Sequence, residues 1–434
     1  MSTENRLLRL AWLMWGIAIL AQWLNLFQRV AGATVADRLM AEFDISATAL
    51  GVLMSVLFYV YGLMQFPVGA MADSLGPRKI LSVGILTASI GSVVFGLAPS
   101  LPFLFMGRFL ISLGVSVVFV SAMKVAADWF PSRHFGFMST FTVFISQAGS
   151  LVATTPLALL VTWVGWRKSF ELMGLLSLGV CLVIWLALKD RPGDLGLALV
   201  EPGPGDVTKP AGPTLTTGQR VKLVLTNPHT WPPFVAAGGL YGTLLVLLGA
   251  WGIPYLMQVY NMTRSDAANY MLVASVGMMV GSLAVAQLSD RVMQRRRTPA
   301  VICNAGYLAL WLILTFWNAG RLPPAILGTI CFLMGFFCGY QGLFFACVKE
   351  VTPAFAAGTA IGVVNISPFL TPAILQPLFG WVLDLGWQGA TVEGARIYPL
   401  AAFHTAFLLI CATAAIATVG AFFIKETRCR NLIG

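Results

Sequence analysis

The sequence predicts an all-α membrane protein with twelve transmembrane helices in two pseudo-symmetric six-helix bundles. Three observations lead there: an extreme apolar composition, the recurrence of membrane-length apolar stretches, and one long polar segment near the middle. Hydrophobic residues make up 58% of the 434 and charged residues only 10%, and the mean hydropathy is +0.83. Ordinary soluble domains carry about a quarter charged residues, so that class is excluded. Apolar stretches able to cross a core of about 30 Å fill almost the whole length, so the membrane domain is the protein and not an anchor on a soluble one.

The first span, 8–37, follows a short polar start without the short apolar region and small-residue cleavage site of a signal peptide; it is expected to be retained and to act as the insertion signal. The break around Asp44 precedes the second span, 47–73, and Gly76-Pro77 precedes the third, 77–98. Pro99 and Pro131 bracket the fourth, 101–128, and Gly165-Trp166 parts the fifth, 134–162, from the sixth, 167–189. Such Gly and Pro punctuation is expected where helices stop. Residues 190–229, rich in Pro and Gly, read as a linker between an N-terminal bundle, 1–189, and a C-terminal one, 230–434. Within it "GQRVKLVL" suits either a short amphipathic surface helix or a plain loop. The remaining spans are 230–259, 264–289, 298–318, 323–349, 354–384 and 398–425, with Pro323-Pro324 opening the tenth.

The formal charge of +10 does not point to nucleic acid, because the Lys and Arg residues are spread among short connections. With both termini inside, 18 of the 27 fall in cytoplasmic segments, six fall outside and three (Arg29, Arg108, Lys124) lie within spans. The positive-inside rule favours this orientation, in what we expect to be a bacterial inner membrane. The seven cysteines form no CxxC and sit almost entirely in apolar spans, so they read as small core residues and not as a disulfide or metal framework. His134, His229 and His404 are scattered, without a metal or triad pattern, and no phosphate-cradling GxxxxGK[ST] occurs. No cofactor, no metal and no enzymatic activity are expected, and transport would draw on a gradient.

An internal repeat sets "DSLGPRK" (Asp73–Lys79) against "DRVMQRR" (Asp290–Arg296), each after the second span of its half. Paired six-helix halves are the trace of a rocking carrier with a central site. The first copy, "GAMADSLGPRK", fits G-x-x-x-D-x-x-G-x-R-K through Gly69, Asp73, Gly76, Arg78 and Lys79, and resembles the loop after the second helix in the major facilitator superfamily. The resemblance covers essentially the whole chain. It implies a conformational latch formed by these residues with Asp290 and Arg291 of the second copy; the alternative is an inside-positive loop whose acid improves folding. "FQRVAGATVADRLMAEFDISATALGVLMSVLFYVYGLMQFPVGAMAD", "WFPSRHFG" and "GWRKSF" are similar to the anion:cation symporter branch, which implies a small organic anion as substrate, alternating access and a monomer. The chain departs from that branch at two places: Gln28 and about Val115 stand where it commonly carries acids, which puts proton coupling through those acids in doubt and leaves the coupling ion open.

Arg29 lies eight residues before Asp37, about 12 Å inside the polar boundary on an ideal helix. An arginine that deep costs at least about 2.5–3.5 kcal/mol on insertion scales, so it should face the bundle interior; an anion site and a bond to helix carbonyls are the competing readings. Gln22, Asn25, Arg29 and Gly32 make a polar stripe, and Gln28 adjoins it. Lys124, four residues before Asp128, can line the cavity or snorkel to the boundary. Arg108 in "GRFLISLG" pairs locally or serves gating. Tyr59, Tyr61, Gln147, Trp251, Tyr255, Tyr340, Gln341, Asn365 and Gln376 supply neutral polar or aromatic groups, each a candidate substrate contact or a bond between helices. The favoured function is a secondary or facilitated transporter of a small organic anion, with a carboxylate as the expected class. The alternatives are an exporter of neutral or amphipathic compounds and a membrane receptor or assembly factor without flux.

Overall fold

A computed structural model describes residues 3–130, 132–195, 217–317, 322–392 and 394–432. Among these residues, eleven helical stretches are long and apolar enough to cross a bilayer, and the fold is all-α apart from one two-residue-per-strand hairpin. The chain forms two compact units, Met1–Ala31 with Val60–Ala211 and Gly32–Tyr59 with Gly212–Gly434.

In the first unit, α1 (Thr3–Phe43) contributes its first part, and α2 (Ala47–Leu75) its later part. α3 (Pro77–Gly96), α4 (Leu101–Ser116), α5 (Val118–Trp129) and α6 (Ser132–Ala187) complete it. The fourth span is divided at Val117 between α4 and α5. α6 leaves helical geometry at Gly165 (φ 82°, ψ 162°), the Gly-Trp break expected from the sequence, and so carries the fifth and sixth spans. Polar side chains stitch the helices: Trp15 Nε1 donates to Thr142 Oγ1 at 2.8 Å and Ser89 Oγ to the Gly174 carbonyl at 2.7 Å. In hydrocarbon these side chains find partners on other helices because water is absent. Leu63, Trp163 and Leu186 are exposed apolar side chains, as a surface facing lipid requires.

In the second unit the seventh span is a broken helix: α8 (Trp231–Ala237), a π-helical stretch Gly238–Gly242, α9 (Thr243–Val246), a second π stretch Leu247–Trp251 and α10 (Gly252–Tyr260). π bulges often mark functional positions in helices. α11 (Arg264–Gln287) runs into a third π stretch, Leu288–Met293. α12 (Arg297–Phe316), α13 (Pro324–Cys338), α14 (Gln341–Lys349), α15 (Ala357–Leu385) and α16 (Leu400–Phe422) follow. The stretch "GQRVKLVL" lies within a short helix, α7 (Thr217–Thr226). α15 holds Pro368, Pro372 and Pro377. Proline removes a helix N–H and frees the carbonyl four residues earlier; Pro368 frees that of Val364, and Ser367 Oγ donates to it at 3.0 Å. Between α15 and α16 strands β1 (Thr391–Val392) and β2 (Ala395–Arg396) pair antiparallel.

Candidate functional site

The first unit builds a basic centre around one turn of α1. Arg29 is 8% exposed, and its guanidinium lies 4.4 Å from the centre of the Tyr61 ring on α2. A ring face holds a cation without consuming its charge. One residue earlier, the Gln28 carbonyl accepts from Arg108 Nη1 at 3.1 Å, so a second buried guanidinium, from α4, is anchored on the same turn. Arg108 Nε and Nη2 make no hydrogen bond to protein among the described residues. The Gln28 side chain donates through Nε2 to Ser92 Oγ on α3 at 2.7 Å, and Ser92 Oγ donates to the Ala88 carbonyl at 2.9 Å. Asn25 Nδ2 donates to Gln22 Oε1 at 3.2 Å. Val115, where the resembling branch carries an acid, is buried and apolar.

Lys124 pairs with Asp128 at 3.3 Å, one turn on along α5. Gln147, Gly69 and Asp73 lie on α6 and α2, but their side chains fall outside the described residues. Gly76 takes φ 83° ahead of α3, a conformation that a Cβ would strain. Asp190, after α6, accepts from the Arg78 backbone N–H at 2.7 Å, and the Arg78 Nη2 donates to the Trp185 carbonyl at 2.5 Å. Lys79 is exposed.

The second copy of the repeat has the same plan. Gln294 takes φ 48°, and two residues later the Arg296 backbone N–H donates to Glu426 Oε1 at 2.8 Å, while that of Arg297 reaches Oε2 at 3.1 Å. The Arg296 guanidinium meets Glu350 at 2.8 Å and also Asp290. Burial pulls the Arg296 pKa down, and the hydrogen bonds and charges of Glu350 and Asp290 outweigh that and hold it above the ordinary value. Arg291 is exposed beside this cluster. Tyr340, fully buried, donates its hydroxyl to the Arg296 carbonyl at 2.6 Å, so it joins this cluster. No sequence motif marks the acids that serve both copies, Asp190 and Glu426, although "KD" at 189–190 and "KE" at 425–426 follow the sixth and twelfth spans alike.

Two further clusters occupy the opposite helix ends of the second unit, and neither carries a motif. Arg264 grips Asp37 through Nη1–Oδ1 at 2.7 Å and Nη2–Oδ2 at 2.6 Å, and also meets the Thr34 carbonyl. Asp384 accepts from the Ala47 and Thr48 backbone N–H groups and from the Thr48 hydroxyl at 2.5 Å. Of the neutral candidates, Trp251 is buried and stacked on Phe379, with centroids 5.3 Å apart. Gln341 is 9% exposed, Asn365 is half-buried, and Tyr59 is exposed.

A family model described as Major Facilitator Superfamily matches residues 18–375. A "Probable hexose phosphate transport protein" of Chlamydia pneumoniae is 24% identical over 388 residues, covering 84% of this chain and 83% of its own length. A "Probable sulfoacetate transporter" of Cupriavidus necator is 26% identical over 385 residues, 85% of this chain and 86% of its own. The crystal structure of a bacterial homolog to the human lysosomal transporter Spinster, inward-facing and unoccupied, superposes with a TM-score of 0.71 at 18% identity, over 96% of this chain and 97% of that one. The match spans most of the chain and agrees with the motif after the second span and the all-α fold: the protein is an integral membrane transporter, not an enzyme, and belongs to the Major Facilitator Superfamily.

Proposed function

We propose that the protein carries a small organic anion, a carboxylate or a phosphorylated or sulfonated relative, by rocking of an N-terminal bundle (1–189) against a C-terminal one (230–434) joined by a cytoplasmic linker (190–229). The observation that carries this reading is the pair of guanidiniums, Arg29 and Arg108, held on one turn of α1. Two fixed cations in a low-dielectric setting make a strong attraction for an anion and a poor site for a cation. The substrates for which the two relatives are named, a hexose phosphate and sulfoacetate, are both anionic. Gln28 cannot titrate, and its amide is engaged with Ser92; substrate attraction in this reading is therefore independent of a proton at position 28. The distribution of Lys and Arg supports both termini in the cytoplasm.

Uptake by proteoliposomes across carboxylates, sugar acids, phosphate esters and sulfonates tests the reading, with Arg29→Ala and Arg29→Lys beside the parent. Transport of one anion class, lost in Arg29→Ala and partly kept in Arg29→Lys, is expected. Transport unchanged in Arg29→Ala removes the anchor, and transport of neutral compounds alone removes the anion.

A further inference from the structure

Gln376 on α15 is fully buried, and neither its Nε2 nor its Oε1 makes a hydrogen bond among the described residues. A buried amide with both ends unmet is costly, and in a natural protein it calls for an explanation such as a ligand. Its surroundings are shaped closely. A Cβ on Gly51 of α2 would stand 2.4 Å from the Gln376 carbonyl oxygen. A Cβ on Gly249, inside the π stretch Leu247–Trp251, would stand 2.9 Å from Gln376 Nε2 and 3.4 Å from the Phe58 ring. Any side chain at 249 would displace the amide. One turn along α15, Phe379 stacks on Trp251, whose Nε1 is also buried with no acceptor among the described residues.

We infer that the Gln376 amide and the Trp251 indole N–H form a subsite that recognises a hydroxyl group, so that the substrate is a hydroxylated organic anion; this rests on the organic-anion reading above. A hydroxyl both donates and accepts, and a carboxamide offers an acceptor and a donor together. A carboxylate or phosphate oxygen only accepts and would meet Oε1 unfavourably. The Trp251–Phe379 pair supplies an apolar face for the C–H side of a polyol. α2 packs at Gly51 on the main chain of this turn of α15 and the amide is fully buried, so a substrate reaches it when the packing around this turn opens. The unmade hydrogen bonds are then made, to water or to substrate. A site built to bond a hydroxyl discriminates strongly against an analogue lacking it.

Thermal stabilisation of the purified protein by two ligand series tests this: glycerate, lactate and propionate, and glycerol 3-phosphate against propyl phosphate. In the parent the hydroxylated members of each series are expected to bind at least about tenfold tighter than the bare one. Gln376→Leu should compress that ratio to within about threefold by weakening the hydroxylated ligands, and Gln376→Asn should keep part of it. Gln376→Met, close in volume, replaces the leucine variant if that does not fold. Arg29→Ala should lose response to all members alike, which separates the anion anchor from the hydroxyl subsite. Equal binding of all members in the parent, or a ratio unchanged in both apolar variants, overturns the subsite while leaving the anion reading in place. No response of the parent to either series overturns both.

Discussion

Arg264, the first residue of α11, holds both carboxylate oxygens of Asp37 near the end of α1, with its own guanidinium almost buried. The pair is bidentate, the geometry in which Arg and a carboxylate bind most strongly. It ties the end of the first span to the start of the eighth, on the side proposed to be outside. Arg264→Ala leaves Asp37 without this partner and should cost about 1.5–3 kcal/mol, the range for hydrogen bonds to charged groups. Thermal denaturation in detergent measures it, and the exchange Asp37→Arg with Arg264→Asp should recover a good part of the loss. No recovery by the exchange would show that the pair's charge is incidental.

Asp384 works differently, as a carboxylate set on the first turn of α2. It takes two backbone N–H groups and the Thr48 hydroxyl, and an anion there gains from the helix dipole as well. Tyr398 donates to it at 2.9 Å. Asp384→Asn should lower stability by about 1–2 kcal/mol and raise the accessibility of residues 47–51 to water-soluble labels. An accessibility equal to the parent's would count against Asp384 as a clasp on α2.

Burial, and then the Asp384 charge, raise the Tyr398 pKa above its ordinary value. A raised folded pKa means the contribution is complete below the unfolded value of about 10 and is lost only as pH climbs through the folded one. The stability difference between the parent and Tyr398→Phe should therefore be flat from about pH 6 to 9 and shrink in stronger alkali. A difference that already fades near neutrality would contradict the assignment.

The matching caps of the repeat predict matching defects. Asp190→Asn and Glu426→Gln each weaken the start of a third helix, α3 or α12, and each should cost about 0.5–2 kcal/mol. The two sites share no partner, so the double variant should be additive within about 0.5 kcal/mol. Strong non-additivity in thermal melts would mean that the two caps report on one shared transition.

Cys429 is the one cysteine among the described residues that is not buried. Burial raises its pKa first, with Glu350, Asp290 and Glu426 adding to the rise against Arg296. The thiolate is the reactive form, so maleimide labelling should be slow at neutral pH and climb towards about tenfold per pH unit until the thiol titrates. Cys429→Ser should remove most of the labelling. Fast, pH-independent labelling that persists in this variant would place a reactive thiol elsewhere.

Much of the fold was legible because a bilayer constrains sequence heavily. Gly165 was visible as the break between the fifth and sixth spans, and the structure bends α6 there. The division of the fourth span at Val117 and the π stretches of the seventh were not visible, since helix irregularity inside an apolar run leaves no change in hydropathy. Arg29 stood out because a charge in an apolar span is conspicuous. Gln376 was visible only as one of several neutral candidates, because an amide in a span is ordinary until its hydrogen bonds are counted, and Asp37 and Arg264 sit at helix ends, where charges are expected anyway.

The sequence by itself determined the membrane setting, the order of the spans, the doubled motif and the place of Arg29, because hydropathy and charge act locally and in register with the bilayer. Only the tertiary structure decided the partners. It set Arg108 on the Gln28 carbonyl, Glu426 on the start of α12, Asp384 on the start of α2 and the Gln376 amide against Gly249. Hydrogen bonds reach only about 3 Å, and residues tens or hundreds of positions apart come within that reach through helix packing, which no local pattern encodes.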